Sequence, residues 1–288
     1  MALRPGSKTR ARVRVVSDGE ERRRGDYLAT EEPLEIRLVA GGRSERLAVT
    51  MRTPGNDFEL AAGFLHGESI LGAREQVRRI SYCTDPQLDA AQQYNVVNVE
   101  LAGDALPDLR GLERHFYTSS ACGVCGKASL DAIELRGCAP PPPGPQVEAE
   151  VLYGLPDRLR EAQGLFESTG GLHAAGLFTP AGELECLRED VGRHNAVDKL
   201  VGWALLQGEL PLAERMLLVS GRASFEIMQK ALAAGVPVVC AVSAPSSMAV
   251  DVAERFGMTL VGFLRGRRFN LYAGHDRIKL PATTADRG

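Results

Sequence analysis

The chain has 288 residues, of which 44% are hydrophobic and 25% charged, and its formal net charge is -3. This length allows one large domain or two modest ones, and the slightly acidic balance disfavours a general nucleic-acid binder. No apolar run approaches the ~18 residues of a membrane span. The basic N-terminus lacks the apolar segment of a secretory signal. We therefore expect a cytoplasmic protein with neither nucleic acid nor membrane as a partner.

The first half of the chain predicts a tail followed by a small β-rich subdomain. Residues 1–26 are rich in arginine and lack apolar periodicity, which is typical of a basic, disordered tail. Residues 27–138 form the predicted N-terminal subdomain, with a hairpin around residues 41–42 and a helix over residues 56–65. Further strands are expected over 77–83 and 94–101.

Four consecutive prolines mark an internal boundary. Residues 139–145 read APPPPGP, which predicts a stiff polyproline spacer. In residues 146–288, short apolar strands alternate with helices, which predicts an α/β layered fold with a largely parallel sheet. The predicted helices cover residues 157–168, 196–205, 224–234 and 246–256. The predicted strands cover residues 172–178, 184–188, 216–219, 236–242 and 259–264.

Small hydroxyls and arginines follow three of these strands. They lie in residues 220–224, 243–247 and 265–268, and the first two segments also begin helices. An open α/β sheet binds ligands at the carboxyl ends of its strands, and helix N-termini with arginines favour phosphate. A serine before a helix is often only a cap, but three such segments on one edge indicate a phosphate-bearing ligand. No Walker loop or dinucleotide fingerprint occurs, so an ordinary ATP or NAD site is not indicated.

The segment 189–199, EDVGRHNAVDK, is dense in polar residues at the start of an apolar helix. It fits a capped helix with a solvated face, and it fits equally a segment that turns His194 or Lys199 toward the ligand. The pattern around His173 is more typical of a hydrogen-bonded core histidine.

Cys122 and Cys125 form a CxxC pair in the glycine-rich segment SSACGVCGK, just before a predicted helix. A helix N-terminus and the neighbouring Lys127 both favour the thiolate. From spacing alone the pair fits metal binding or redox chemistry, and less often sulfur transfer. A zinc deaminase is one alternative, because His66 and Glu68 match the H-x-E half of its signature, although the proline expected before the first cysteine is missing. Cys186 and Cys240 fit buried apolar positions.

Several longer motifs carry a resemblance to a known family. Residues 116–126 (FYTSSACGVCG), 189–199, 220–226 (SGRASFE), 243–247 (SAPSS) and 262–266 (GFLRG) occur in that order. Together they make the chain similar to the formate dehydrogenase accessory sulfurtransferase family, FdhD/NarQ, from about residue 32 to residue 272. Ala121 and the four-proline spacer depart from the family pattern.

The resemblance implies a cytoplasmic homodimer with a cytidine deaminase-like α/β fold. It implies transfer of sulfur from a cysteine desulfurase to the molybdenum cofactor, Mo-bis(molybdopterin guanine dinucleotide), which then enters formate dehydrogenase. A deaminase-like fold would also account for the partial deaminase signature without zinc, so no metal is expected.

The resemblance also implies roles for particular residues. Cys122 would bear a persulfide. Thiol chemistry, rather than the resemblance, predicts that Cys125 attacks this persulfide as a second thiol, and the alternative is that Cys125 only shapes the loop. Six residues would contact the cofactor: Phe263, Leu264, Arg265, Gly266, Arg267 and Arg268. The strand ends add Arg222 and Ser246 as further candidates. A zinc-dependent nucleoside or base deaminase and a cofactor chaperone without catalytic activity remain the alternatives.

Overall fold

Two large β-sheets and six helices form the part of the chain that this computed structural model describes, residues 5–83, 93–107 and 139–281. The helices are α1 (Asp57–Gly67), α2 (Ala149–Ala162), α3 (Gly164–Thr169), α4 (Arg193–Gln207), α5 (Phe225–Ala233) and α6 (Ser247–Arg255). The strands are β1 (Lys8–Ser17), β2 (Glu20–Ala29), β3 (Glu32–Ala40), β4 (Arg43–Arg52), β5 (Val77–Tyr82), β6 (Val96–Leu101), β7 (Val147–Glu148), β8 (His173–Phe178), β9 (Leu184–Asp190), β10 (Met216–Val219), β11 (Val238–Ala241), β12 (Thr259–Arg265), β13 (Arg268–Ala273) and β14 (Ile278–Lys279). Within these residues, no helix combines the length and the apolar character needed to cross a membrane.

The prediction of a disordered tail over residues 1–26 is wrong for most of that segment. Strands β1 and β2 pair as an antiparallel ribbon from Lys8↔Ala29 to Ser17↔Glu20. The turn between them is Asp18-Gly19, with φ of 52° and 84°, which matches the two-residue turn that joins twisted strands. Apolar residues alternate with arginines along β1, a period-2 pattern that the high charge concealed. The ribbon is largely exposed, which explains its polar composition.

The smaller of the two large sheets has the order β4-β3-β6-β5 and confirms the predicted strands of the N-terminal half. Its central strand β3 alternates strictly and buries Leu34, Ile36 and Leu38. Helix α1 covers this face and contributes Leu60 and Leu65 to the same core. The hydrophobic pattern of β3 therefore decides which face of the sheet receives the helix.

The larger sheet has the order β13-β12-β11-β10-β8-β9 and confirms the predicted α/β class. Strands β10, β11 and β12 run parallel, but the other three neighbouring pairs are antiparallel, so the sheet is mixed rather than largely parallel as predicted. Strands β10 (MLLV) and β11 (VVCA) are buried along their whole length, as expected for strands covered on both faces. Helices α4, α5 and α6 pack on one face, and α2 packs on the other.

The structure differs from the sequence prediction at two elements of this half. Residues predicted as one helix over 157–168 belong to α2 and α3, and α2 begins at Ala149 and continues through Pro156. Strand β13 was not predicted, and it places residues 265–268 in a β-hairpin rather than after a last strand. Gly266, with φ of 53°, turns that hairpin.

The proline-rich segment lies against the larger half of the protein. Residues 139–146 form neither helix nor strand, as predicted, and the segment buries Pro141 and Pro145. A Cβ on Gly144 would lie 2.5 Å from the Pro237 ring, so the segment is in close contact with the residues before β11. The division of the chain at this segment stays a prediction.

A close crossing of α1 and α4 joins the two halves. A Cβ on Gly63 would lie 1.8 Å from the Asp198 carbonyl oxygen, and a Cβ on Gly202 would lie 1.8 Å from the Glu59 carbonyl oxygen. The two glycines therefore let the helix backbones touch. Arg188 of β9 adds a bidentate ion pair to Glu59 at 2.5 and 2.8 Å. Because α4 also begins at the edge of the larger sheet, this crossing sets the position of the candidate site.

Candidate functional site

The predicted reactive cysteines lie outside the described residues. Cys122 and Cys125 fall between Pro107 and Ala139, and so does Cys138. The remaining predicted site residues are all described, and they lie on strands of the larger sheet or in the loops and turn that follow those strands.

Two of the three strand ends singled out from the sequence, residues 220–224 and 243–247, lie on one edge of that sheet. The third, residues 265–268, forms the β12–β13 hairpin instead, and residues 262–263 of β12 lie beside Ser243 in its place. Backbone hydrogen bonds link them in sequence: Ser243 N–H donates to the Gly221 carbonyl at 3.3 Å, and Phe263 N–H donates to the Ser243 carbonyl at 3.1 Å. A further bond runs from Ser246 N–H to the Ala223 carbonyl at 2.9 Å. We call this region the carboxyl edge: residues 220–224, 243–246 and 262–263, with His173, Arg193 and His194 from the adjoining β8 and α4.

The serines of the carboxyl edge act as helix caps. Ser224 Oγ accepts a hydrogen bond from Ile227 N–H at 3.5 Å, and Ser246 Oγ accepts one from Ala249 N–H at 3.2 Å. These bonds are the ordinary role of a serine before a helix. Ser246 is also exposed, so its hydroxyl proton is still available to a ligand.

The six-residue segment that the resemblance assigns to the cofactor divides into two parts. Phe263 lies on the carboxyl edge at an irregularity of β12, with φ of 52°, an uncommon value for a bulky residue. Leu264 is buried in the core, and Arg265 and Arg268 are exposed. Arg267 instead forms a bidentate ion pair with Glu150 of α2, at 2.6 and 2.7 Å. Its charge is therefore already matched on the surface.

The polar segment 189–199 also separates into two environments. Lys199 is buried beside Asp190 at 2.7 Å and donates to the Thr53 carbonyl at 2.9 Å. It connects β4 to β9 in the protein interior and does not reach the carboxyl edge. His194 does lie on that edge, with Nδ1 2.9 Å from Glu226 Oε2 and Nε2 3.2 Å from Ser224 Oγ. The hydrogen bond with His194 lowers the pKa of Glu226.

Two further residues of the carboxyl edge were missed by the sequence analysis. His173 begins β8, and a Cβ on Gly221 would lie only 3.3 Å from its Nδ1. Burial lowers the pKa of His173, and the charges of Arg193 and His194 lower it further. The Nε of Arg193 is buried, and no described residue accepts a hydrogen bond from it. Arg193 stands directly before His194, at the first residue of a helix that begins at a sheet edge. This position is the signal by which the sequence could have indicated Arg193.

His66 has a structural role. Its Nδ1 lies 2.8 Å from the Leu71 carbonyl oxygen, and its Nε2 lies 3.0 Å from the Ala233 carbonyl oxygen. Both ring nitrogens are therefore occupied by backbone carbonyls, and neither is open to a metal. In the described ranges no group of three or more His, Cys, Asp and Glu side chains is placed to hold a metal ion. His66 therefore has a structural role among the described residues, and the other half of the deaminase signature, Cys122 and Cys125, lies outside them.

The three described cysteines are buried. Cys186 and Cys240 belong to the hydrophobic cores on the two faces of the larger sheet, as predicted. Burial raises the pKa of Cys186 to about 11 and that of Cys240 to about 12. Cys83 is also buried, at the end of β5.

We expect Cys186 and Cys240 to resist alkylation in the folded protein at pH 8. A thiol with a pKa near 11 is only about one part in a thousand thiolate at that pH, and the thiolate is the reactive form. Peptide mapping after a short treatment with iodoacetamide should find both unmodified, and unfolding in urea should make both reactive. Rapid labelling of either residue in the folded protein would contradict their burial.

The fold places this chain among known α/β proteins. A solved structure from Desulfotalea psychrophila, of a candidate formate dehydrogenase accessory protein, superposes with a TM-score of 0.72. The match covers 94% of this chain and 99% of that one at 24% sequence identity, so it shows a shared fold.

The sequence comparisons identify the family. The family model described as FdhD/NarQ matches residues 29–279. A sulfur carrier protein FdhD of Streptomyces avermitilis is 57% identical over 279 residues, which are 96% of this chain and 97% of that protein. Another, from Sulfurisphaera tokodaii, is 42% identical over 93% of this chain and 98% of its own length. The chain belongs to the FdhD/NarQ family, which confirms the resemblance and supports a sulfur-transfer role in formate dehydrogenase maturation.

Proposed function

We propose that this chain is a cytoplasmic sulfurtransferase that carries sulfur as a persulfide on Cys122. The donor is a cysteine desulfurase, the acceptor is Mo-bis(molybdopterin guanine dinucleotide), and the client is formate dehydrogenase. The observation that carries the proposal is the family match over residues 29–279, a range that includes the CxxC pair. Burial of the three described cysteines adds support, because it leaves Cys122, Cys125 and Cys138 as the candidate nucleophiles.

Transfer of sulfur from the desulfurase to Cys122, the loading step, needs no external oxidant. The Cys122 thiolate attacks the terminal sulfur of the desulfurase persulfide, forms Cys122–S–SH after proton uptake, and releases the desulfurase thiolate. In delivery, the Cys125 thiolate attacks the inner sulfur of that persulfide. A Cys122–Cys125 disulfide forms, and sulfide leaves toward the molybdenum. A dithiol reductant then supplies two electrons to restore the two thiols.

The carboxyl edge supports a phosphate-bearing cargo. It combines the exposed Arg222, the partly buried Arg193 and the hydroxyl of Ser246 at the ends of parallel strands. Such an edge is where open α/β sheets bind ligands, and arginine pairs well with phosphate oxygens. Two cavities of about 610 and 350 Å³ lie elsewhere and include no residue of this edge.

The test is the mass of the intact protein after incubation with a cysteine desulfurase and cysteine. We expect an increase of about 32 Da, one sulfur atom, that maps to Cys122 and disappears in Cys122→Ala. Cys138→Ser is the matched control and should load normally. An adduct that maps to another cysteine and survives Cys122→Ala would contradict the proposal.

A variant of Cys125 tests its role separately from that of Cys122. Cys125→Ser should still load sulfur on Cys122 but support little formate dehydrogenase activity, because the thiol that expels sulfide is missing. Full client activity in Cys125→Ser would remove this role. Full client activity in Cys122→Ala would favour a chaperone that only escorts the cofactor, and stoichiometric zinc in the purified protein would revive the deaminase alternative.

A further inference from the structure

The β1–β2 ribbon concentrates positive charge in a protein that is otherwise acidic. Residues 8–29 hold six arginines and one lysine against four carboxylates, a net charge of +3, whereas the whole chain has a net charge of -3. The remainder of the chain is correspondingly more acidic. The ribbon also precedes the range that the family model matches, so the proposed sulfur chemistry assigns it no role.

The pairing of the two strands places most of this charge on one face of the ribbon. Directly opposite residues of an antiparallel pair share a face, and the face alternates from one residue to the next. Successive side chains on one face of β1 are therefore about 7 Å apart. We call this surface the basic face. Its members are Lys8, Arg10, Arg12, Arg14 and Val16 of β1 and Arg23 and Tyr27 of β2.

The cations of the basic face are largely unmatched. Arg14 pairs with Glu21 across the ribbon at 3.5 Å, and both side chains are exposed. Among the described carboxylates, none forms an ion pair with Arg10, Arg12 or Arg23. All three of these arginines are exposed. The basic face therefore offers solvent-accessible positive charge that the protein itself does not neutralise.

The basic face also carries exposed apolar side chains, which favour a protein as its partner. Val16, near the tip of the ribbon, is 68% exposed, and Tyr27, near its base, is 44% exposed. Tyrosine and arginine are both enriched in protein interfaces. Residues 18–21 at the tip include three carboxylates, which would meet the phosphates first if the ribbon entered a nucleic-acid groove. These features together fit an acidic protein surface.

The base of the ribbon is fixed to the rest of the protein. The Ser7 hydroxyl donates to the Pro54 carbonyl at 2.6 Å, and the Thr30 N–H donates to the Ser7 carbonyl at 3.0 Å. Ten residues of strand extend about 33 Å from this base. The ribbon is thus an arm with a defined origin, and a partner bound along its basic face would be held on one side of the molecule.

We propose that the basic face of the β1–β2 ribbon docks an acidic surface of the sulfur donor, the cysteine desulfurase. The inference rests on the proposed function for the existence of that donor, and it names the surface that receives it. The client dehydrogenase fits the basic face less well. An enzyme that takes up a polyphosphate cargo needs positive charge at its entrance, and two positive surfaces repel each other. The donor passes on a sulfur atom and has no such requirement.

The test is the rate of persulfide loading on the full chain at increasing desulfurase concentration. Arg10→Glu combined with Arg12→Glu should raise the concentration for half-maximal rate by tenfold or more at low salt, because reversed charges slow association. The maximal rate should stay unchanged, because the thiol chemistry of Cys122 is untouched. The difference from the wild type should shrink between about 0.1 and 1 M NaCl, as the screening length falls from about 10 to about 3 Å.

Arg22→Glu combined with Arg24→Glu is the matched control, because it changes the net charge equally on the opposite face of the same ribbon. These arginines already pair with Glu20 at 2.9 Å and with Asp26 at 3.7 Å. The control should keep the half-maximal concentration near that of the wild type. Thermal unfolding should give both double variants similar midpoints. Arg23→Glu, on the basic face but in β2, provides a further variant should the first fail to fold.

The outcomes separate this inference from the proposed function. A wild type that the desulfurase does not load would overturn the proposed function and the docking site with it. Normal loading of the wild type, with equal half-maximal concentrations in both basic-face variants, would overturn the docking site and leave sulfur transfer standing.

Three further results would assign the basic face to another partner and so overturn the inference. The first is normal loading of the basic-face variants with loss of formate dehydrogenase activation, which would assign the face to the client. The second is a lower mass of these variants in sedimentation, which would assign it to contact between copies of this chain. The third is binding of the wild type to a DNA duplex that the basic-face variants lose.

Discussion

Gly63→Ala should destabilise the protein strongly, by about 3 kcal/mol or more. The new Cβ would lie 1.8 Å from the Asp198 carbonyl oxygen and 2.8 Å from the Gly202 nitrogen, and both are backbone atoms that cannot rotate away. Helices α1 and α4 would have to separate, and the gain of about 1 kcal/mol in helix propensity is too small to offset this. Thermal unfolding should show a fall in Tm of at least about 6 °C.

Gly154→Ala is the matched control for this prediction. Gly154 lies inside α2, and the nearest atom to its added Cβ is the end of the Arg158 side chain at 3.9 Å. This variant should be neutral or slightly more stable, because alanine is the better helix former. Gly202→Ala should behave like Gly63→Ala, since its Cβ would meet the Glu59 carbonyl at 1.8 Å. Equal stability of Gly63→Ala and Gly154→Ala would contradict the close helix crossing.

The sequence predicted well those elements whose hydrophobic pattern can be recognised within the element itself. The apolar runs that became β10 and β11, and the strict alternation of β3, identify strands without any knowledge of the partners. The ribbon β1–β2 was missed because its charged residues conceal the apolar alternation of β1. Strand β13 has apolar residues at Phe269, Leu271 and Tyr272, but it is only half-buried and follows an arginine-rich turn, so it was not recognised as a strand. Only the pairing partner, or a turn such as Asp18-Gly19, distinguishes them from loop.

The candidate site was predictable as an edge but not as a set of side chains. The order of strands and helices correctly indicated that residues 220–224 and 243–246 share an edge. The polar segment 189–199 was ambiguous, because its sequence does not say which side of α4 faces the sheet edge. Helix geometry offered a limit: Lys199 follows His194 by five residues and so lies about 140° away around the helix. The two could not both lie on the same side of the helix, and the structure places His194 on the carboxyl edge and Lys199 in the interior.

The ion pair between Asp190 of β9 and Lys199 of α4 lies within the larger half, and it should be the second essential contact with the smaller half because both side chains bind the Thr53 backbone. Both side chains are buried, with exposed fractions of 0% and 2% and an N···O distance of 2.7 Å. Thr53 donates its backbone N–H to Asp190 at 3.1 Å, so the pair also holds the end of β4. Lys199→Met should cost about 3–5 kcal/mol, because it leaves the Asp190 carboxylate buried without a cation. Chemical denaturation measures this loss.

Lys279→Met is the control, because Lys279 pairs with Glu148 at 3.4 Å on the surface and such pairs contribute at most about 1 kcal/mol.

The same pair shapes the loop that carries Arg193. Asp190 Oδ1 accepts the Gly192 backbone N–H at 2.8 Å and the Asn195 side-chain amide at 3.0 Å, one residue before and two residues after Arg193. Lys199→Met should therefore weaken the binding of pyrophosphate, a probe for the phosphate groups of the proposed cargo, even at temperatures where the protein stays folded, whereas Lys279→Met should not. A double variant, Asp190→Leu with Lys199→Met, should regain part of the stability, because no charge is left buried. It should not regain pyrophosphate affinity, because Gly192 and Asn195 lose their acceptor. Recovery of both properties together would show that the pair acts only through stability and has no part in positioning Arg193.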